Sequence, residues 1–513
     1  MIEGGTLWDL VERRAEDTPD ALMAIDEDGR TVTFAGFRAD AERAAAGLAA
    51  QGVAEGDVVS WQLPTWLESQ TLVAALARLG AVQNPILPIY RSREVGFVTG
   101  QAGSSLLVVP SEWRGFDFEE MARSIAADQS GLEVLVADRM LPQGDPSTLP
   151  PPPAAADEPD DFPVRWLFYT SGTTADPKGA RHTDGTLGIM AKGMGERLRL
   201  QPEDRSAMVF PFTHIGGIGW LFCCLQFGTV SIFIEAFDPE STVEVLRREG
   251  VTLAGAGTPF HMAYLAAQRS QPGEPLFPEV RAFPGGGAPK PPQLHYDLKK
   301  EMGGVGIVAG WGLTEAPILT MADVNDDDEE LANTEGKALP GVDLRVVTLA
   351  GEVAGPGEEG EFRAKAPQLM RGYLDSSLDA DAFDDDGYFR TGDLGFLDER
   401  GNAVITGRVK DVIIRKGENI SAKEVEDLLF QHPKVQDVAV IGLPDPELGE
   451  RCCAVVSTPE GSEALGFDEM VEFLKAEGLM IQKVPEQLEH VDVVPRNPSG
   501  KIQKHQLRDR YAA

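Results

Sequence analysis

Strand-like and helix-like runs alternate through the opening third of this 513-residue chain. Residues 58–63 read as a buried strand, 68–79 as a helix and 81–87 as a second strand. Such alternation predicts βαβ units and a parallel sheet, hence an α/β fold. Upstream, extended runs at 22–25 and 31–34 flank Asp28-Gly29, a hairpin signal, and a helix over about 37–50 stops at Gly52. Residues 145–163 are rich in Pro, Ala and Asp, which suits a surface linker. A second α/β block follows, to about residue 330. From about 341 to 398, short strands with Gly turns read as a small β subdomain. The last hundred residues mix helical and extended runs, enough for a small α+β unit, and the length itself exceeds one compact core.

One loop carries chemistry. Tyr169-Thr-Ser-Gly-Thr-Thr-Ala-Asp-Pro-Lys-Gly179 follows an apolar run at 164–169. It concentrates the hydroxyls of Thr170, Ser171, Thr173 and Thr174 with Gly172, Gly179 and Lys178. Hydroxyls and backbone N–H groups donate to phosphate oxygens, glycine admits close approach, and lysine supplies a point charge. The spacing is not that of a P-loop, because Pro177 stands where that motif needs Gly, and Gly179 where it needs a hydroxyl. A Ser/Thr-rich turn is the plain alternative. A second glycine pattern, Gly355-Pro-Gly-Glu-Glu-Gly360, carries two glutamates that would repel a pyrophosphate and reads as a turn before a strand.

Composition narrows the partners. A net charge of −36 argues against nucleic acid or an anionic membrane. No run reaches the ~18 apolar residues of a membrane span. The nearest, 218–234, is broken by Gln226, Gly228, Thr229 and Ser231 and reads as a buried helix and a strand. The N-terminus lacks signal-peptide features and the C-terminus carries no peroxisomal address, so a cytoplasmic protein, monomer or homodimer, is expected. Cys223-Cys224 and Cys452-Cys453 lie among apolar neighbours and read as buried thiols; scattered histidines predict no zinc site. Acidic runs such as 326–330 and 384–386 read as solvated loops. Any polyanion must then be met by locally gathered cations, with Lys178, Arg181, Arg408, Lys410, Arg415, Lys416, Lys501 and Lys504 as candidates.

Four further motifs follow in order: Trp311-Gly-Leu-Thr-Glu315, Tyr388-Phe-Arg-Thr-Gly-Asp393, Gly407-Arg-Val-Lys-Asp411 and Pro495-Arg-Asn-Pro-Ser-Gly-Lys501. With the 169–179 loop they resemble the adenylate-forming superfamily of acyl-CoA synthetases, aryl-CoA ligases, luciferase-like enzymes and nonribosomal adenylation domains. The resemblance spans nearly the whole chain and is closest to medium-chain or cyclohexanecarboxylate-type CoA ligases. It implies a large N-terminal domain, 1–406, of two stacked αβ subdomains plus a β-barrel-like subdomain. A hinge at 407–411 and a small mobile α+β lid, 412–513, would follow. Three positions depart from the family's habit: Ala175 for Gly or Ser, Trp311 for Tyr, and Ala309 for Asn or Gln.

The resemblance also assigns roles. The loop from Thr170 to Lys178 would grip the β and γ phosphates, Thr314 would bond phosphate, and Glu315 with Thr174 would hold Mg2+. Asp393 would accept from the ribose hydroxyls, with Arg408 as a second ribose or phosphate contact. Adenine would lie between Gly286, Gly287 and Ala288 on one side and Trp311, with Gly312, on the other. Gly286, Gly287, Ala316, Pro317 and Ile318 would line an apolar acyl pocket gated by His214. Lys501 would bridge the attacking carboxylate and the α-phosphate from the closed lid. Lys410 would be the hinge, and Lys416 and Gly417 would move in for thioester formation. Taken singly, Glu315 reads more plainly as a helix-start acid and Lys501 as a tail lysine, while a hydrogen-bonded structural histidine is the competing reading of His214.

The implied activity joins a medium-chain, alicyclic or aromatic acid to coenzyme A through an acyl-adenylate, using ATP and Mg2+. The rival is an acid- or amino-acid-adenylating enzyme serving a carrier protein, and no Asp near His214 offers an ammonium contact.

Overall fold

The computed structural model describes residues 1–154, 156, 162–170, 177–288, 290–348, 350–415, 418–459, 461–497 and 500–512. It is a mixed α/β fold with a large N-terminal and a small C-terminal domain.

The expected alternation builds one six-stranded sheet, in the order Lys178–Thr183, Val164–Thr170, Val82–Pro85, Val58–Trp61, Leu106–Val109 and Glu133–Val136. All pairings from Val164–Thr170 onward are parallel, and Lys178–Thr183 adds an antiparallel edge. Leu106–Val109 is buried at every position, as a strand covered on both faces must be. The second helix begins at Phe34, earlier than its apolar period suggests, because the Thr33 hydroxyl accepts from Gly36 N–H at 3.1 Å and starts the turn.

The N-terminal hairpin lies elsewhere than chain order suggests. Leu22–Asp26 pairs in parallel with Val230–Phe233, Ala24 opposite Ser231, so the opening strand completes the sheet of the second block. That sheet continues through Arg205–Met208 and single bridges at Leu253 to Phe283–Gly285 and Ile307–Trp311. The helices Phe34–Ala50, Leu67–Leu79, Asp184–Leu198 and Ile215–Phe227 contribute to one core joining both sheets, which contains Trp61, Leu72, Trp166, Met190, Phe222 and Phe233. Removing the Phe222 ring from so dense a core costs about 3–5 kcal/mol.

A four-stranded antiparallel sheet follows: Asp343–Val347, Gly360–Lys365, Phe389–Leu397 and Ala403–Arg408. Its last strand runs on to Arg408. Asp384 corrects the solvated-loop reading of 384–386 at one position: the residue is half-buried with its carboxylate covered, and it pairs with Arg345 at 2.7 Å and Arg363 at 3.0 Å, while Asp385 and Asp386 are exposed. Against the opposing effect of burial, the Tyr388 N–H donated at 2.9 Å and then the two arginine pairs hold the Asp384 carboxyl well below the usual range. It is therefore a structural acid.

The C-terminal domain sets the helices Ala422–Leu429, Phe467–Ala476 and Lys504–Tyr511 around the strands Asp437–Asp445, Gly449–Ser457 and Gln487–His490. Successive side chains on a strand point to opposite faces, so adjacent Cys452 and Cys453 enter two different cores. All four thiols are buried and unpaired with one another. Among the described residues, no helix is long and apolar enough to cross a membrane.

Candidate active site

The strands Val164–Thr170 and Lys178–Thr183 form a hairpin with Thr170 opposite Lys178. The loop between them carries Ser171, Gly172, Thr173 and Thr174, which lie outside the described residues, as do Lys416 and Gly417. The described part puts Lys178 at the hairpin mouth, its ammonium 5.4 Å from the Tyr373 ring centroid.

Residues 311–318 form a tight return after the strand Ile307–Trp311. Leu313 N–H donates to Ala316 O at 3.0 Å, and Leu319 N–H to Trp311 O at 2.8 Å. Gly312 is required here: a Cβ would meet Ile318 N at 2.3 Å and Ala316 O at 2.7 Å. The return buries Glu315, which is 9% exposed, in place of the exposed helix-start acid of the plain reading. Glu315 Oε1 accepts from the Tyr373 hydroxyl at 2.8 Å. Burial first, and then the Glu315 charge, push the Tyr373 phenol up, so it stays a donor. Thr314 O accepts from His182 Nε2 at 2.8 Å. Burial lowers that imidazole to about 4, so it is neutral at physiological pH.

Asp393 sits opposite Arg408 in the antiparallel sheet and is 4% exposed. Its Oδ1 accepts from Arg408 Nε at 2.7 Å and its Oδ2 from Trp311 Nε1 at 2.8 Å. The indole is buried, with the Phe362 ring centroid 5.0 Å away. Trp311 thus reaches the Asp393 carboxylate with its N–H, a contact the motif alone did not disclose. Gly286 and Gly287 follow the strand Phe283–Gly285, whose end pairs with Ala309; a Cβ on Gly286 would lie 2.9 Å from Gly310 O. These glycines, Ala288 and Trp311 therefore share the carboxyl ends of two parallel strands, the usual place for a ligand in such sheets.

His214 caps the helix Ile215–Phe227, its Nδ1 accepting from Gly216 N–H at 3.1 Å. Because a backbone N–H can only donate, the imidazole proton must sit on Nε2. Burial, then the Lys501 charge, lower His214 to about 4. Ala316 is buried in the return, while Pro317 and the positive-φ Ile318 lead out of it.

The C-terminal domain closes over this face. Gly500 lies so near the helix Thr258–Ser270 that a Cβ would meet Pro259 Cγ at 2.5 Å. Lys501 N–H donates to Asn497 Oδ1 at 2.9 Å. Lys501 is exposed, with enough neighbouring protein to strip part of the hydration from its ammonium. That loss of hydration first, and then Arg408 and Lys410, lower it to about 8 against the pull of Asp393 and Asp411. Lys410 occupies a short turn, Val409–Asp411, after the strand Ala403–Arg408 and is lowered by burial and Arg408. Other candidate cations are committed elsewhere: Arg415 to Glu486, and Lys504 to Glu426 at 2.8 Å. Sequence reasoning missed Tyr373, His182 and the Trp311–Asp393 bond; a lone aromatic in Arg371-Gly-Tyr373 was the only signal for the first.

Among the described residues no group of three or more His, Cys, Asp or Glu could hold a metal ion. A lone buried carboxylate at Glu315, joined through Tyr373 to Lys178, still suits Mg2+, which commonly takes one or two carboxylates plus substrate phosphates.

The buried carboxylates of Asp393 and Glu315 thus stand in the large domain, and Gly500, next to Lys501 in the C-terminal domain, packs against its Pro259. The AMP-binding enzyme family matches residues 11–374, and the AMP-binding enzyme C-terminal domain matches 424–501. The chain belongs to this adenylate-forming family. The medium-chain fatty-acid–CoA ligase of Escherichia coli (strain K12) is 30% identical over 98% of this chain and 90% of its own length. The salicyl-AMP ligase / salicyl-S-ArCP synthetase of Mycobacterium tuberculosis is 32% identical over the same shares, 98% and 90%. ATP-bound MatB from Rhodopseudomonas palustris superposes with a TM-score of 0.88 at 28% identity over 99% of each chain, whereas its apo form gives 0.79. CoA ligases of this family use ATP, Mg2+ and coenzyme A.

Proposed function

We propose that this protein is an ATP-dependent carboxylic acid:CoA ligase acting on a medium-chain, alicyclic or aromatic acid. The carrying observation is that Gly500 of the C-terminal domain packs against Pro259 of the large domain, where a Cβ would meet its Cγ at 2.5 Å, and that the adjoining Lys501 feels the charges of Asp393 and Arg408, themselves bonded at 2.7 Å. A carboxylate oxygen attacks the α-phosphorus of ATP, the bond from that phosphorus to the bridging oxygen breaks, and pyrophosphate leaves. The Lys501 ammonium offsets the crowding of two anions at that atom, while Lys178 and the hairpin loop hold the departing phosphates. Glu315 and Thr174 would hold Mg2+, which neutralises phosphate charge when bound. The lid then turns at Lys410, and the thiol sulfur of coenzyme A attacks the acyl carbon. The bond to AMP breaks and the thiol proton is released.

The acid class rests on apolar surroundings: the helix behind His214 is buried along most of its length and carries no charged residue. The neutral Nε2–H of His214 offers a donor without a second cation. A second reading, transfer of the acyl group to a carrier protein, is favoured by the likeness to the salicyl-AMP ligase. The test is AMP release over acids of graded length and ring content, with coenzyme A or a phosphopantetheinylated carrier as acceptor. Release dependent on coenzyme A supports the ligase; release dependent on the carrier alone favours the second reading; no acid-dependent release with either refutes both.

A further inference from the structure

Tyr373 lies at a junction that neither the motifs nor the family match assigns. It is 4% exposed and touches both halves of the triphosphate site. Its hydroxyl donates to Glu315 Oε1 at 2.8 Å, and its ring faces the Lys178 ammonium at 5.4 Å. Its backbone is fixed at the same place. Arg371 N–H donates to Arg181 O at 2.7 Å, Leu374 N–H to Gly179 O at 2.8 Å, and Met370 N–H to Glu315 O at 2.8 Å. Tyr373 N–H itself donates to Asp379 Oδ1 at 2.8 Å. The segment 370–374 therefore stitches the strand that carries Lys178 to the return that carries Glu315.

Two properties of a phenol matter here. One hydroxyl bond on Oε1 fixes the carboxylate rotamer and leaves the other oxygen to a cation, as the partners of metal-binding carboxylates do. The negative ring face attracts an ammonium without neutralising it, so the lysine keeps its full charge for a phosphate. An acidic partner would hold Lys178 harder but would compete with the ligand.

The geometry points to Tyr373 as a positioning residue that sets the spacing between the Mg2+-holding carboxylate and the phosphate-gripping ammonium. This rests on the site reading proposed above. As a purely structural member of the core, which contains Trp311, Ala316 and Phe362, it would change stability alone.

The test is calorimetric titration of the whole enzyme with α,β-methylene-ATP, at a series of Mg2+ concentrations and in EDTA, with thermal unfolding measured alongside. For Tyr373→Phe the Mg2+ concentration giving half of the metal's effect should rise about tenfold. Its affinity in EDTA should match wild type, and excess Mg2+ should restore the rest. Tyr373→Leu should in addition bind the analogue about threefold more weakly in EDTA, because the ring under Lys178 is gone. Should the leucine variant fail to fold, the phenylalanine variant carries the test alone. An unchanged Mg2+ requirement in Tyr373→Phe, with or without a lower melting temperature, overturns the proposal. Glu315→Gln separates the two layers. If wild type responds to Mg2+ and this variant responds equally, the site reading is wrong and the positioning role falls with it.

Discussion

On the large-domain wall of the cleft, the charged groups are held before any ligand arrives. Asp393 accepts from Arg408 and Trp311, and Glu315 accepts from Tyr373. On the lid wall the arrangement is the reverse. Asn497 fixes the Lys501 backbone, but the ammonium stands among Arg408 and Lys410 and is depressed to about 8. One wall is preorganised, and the other is electrostatically strained until a polyanion enters. A triphosphate would relieve that crowding, and under the proposed function this would couple closure of the C-terminal domain to ATP. The same logic reconciles a chain of net charge −36 with a polyanionic ligand: acid is spread over the surface, and cation is gathered at one place.

The comparison can be broken at the hinge. Lys410→Pro fixes φ in the turn between the walls. It should leave ATP–pyrophosphate exchange near wild type and slow coenzyme A-dependent AMP release about a hundredfold, the scale of misplacing reacting groups. Equal loss of both steps would show that the turn is a structural corner and not a pivot.

It can be sharpened by pH. The ordinary lysine value is 10.5, and loss of hydration followed by the charges of Arg408 and Lys410 lowers Lys501 to about 8. A depressed ammonium disfavours the closed empty state as pH falls from 10.5 toward 8, whereas the reaction needs the protonated form. The kcat/KM for ATP should therefore fall above pH ~8, about tenfold by pH ~9. The break in kcat should lie higher, because bound phosphates favour the charged lysine. Lys501→Arg should lose both breaks. A break that persists in the arginine variant belongs to another group.

The smallest effect concerns the rigid wall. Trp311→Phe keeps an aromatic ring and removes the N–H donated to Asp393. ATP affinity should drop about fivefold, one hydrogen bond to a carboxylate that Arg408 still supports. No change in a calorimetric titration would mean that Trp311 serves the core alone.

How much of this was legible in the sequence follows from what each signal encodes. Local periodicity located the strand at 164–169 and the helix at 68–79, which the structure gives as Val164–Thr170 and Leu67–Leu79, because both depend on neighbours in the chain. It could not tell that Ala24 would pair with Ser231, since register between distant strands is decided by the assembled core. The same limit hid Tyr373, whose partners Glu315 and Lys178 are close only after the sheets stack. Asp384 looked like part of a solvated acidic run because its arginines lie on other strands of the subdomain. Lys501, Glu315 and Asp393 were singled out through ordered motifs; composition alone would have left each as an ordinary surface or turn residue.

The central claim is that the two walls act on one triphosphate. It is tested most directly by ATP–pyrophosphate exchange in Lys501→Ala, measured beside equilibrium binding of ATP to the same protein. The account predicts that exchange falls by about 10²–10³ while ATP binding to the preorganised wall persists. Exchange at the wild-type rate in a folded Lys501→Ala protein would contradict it.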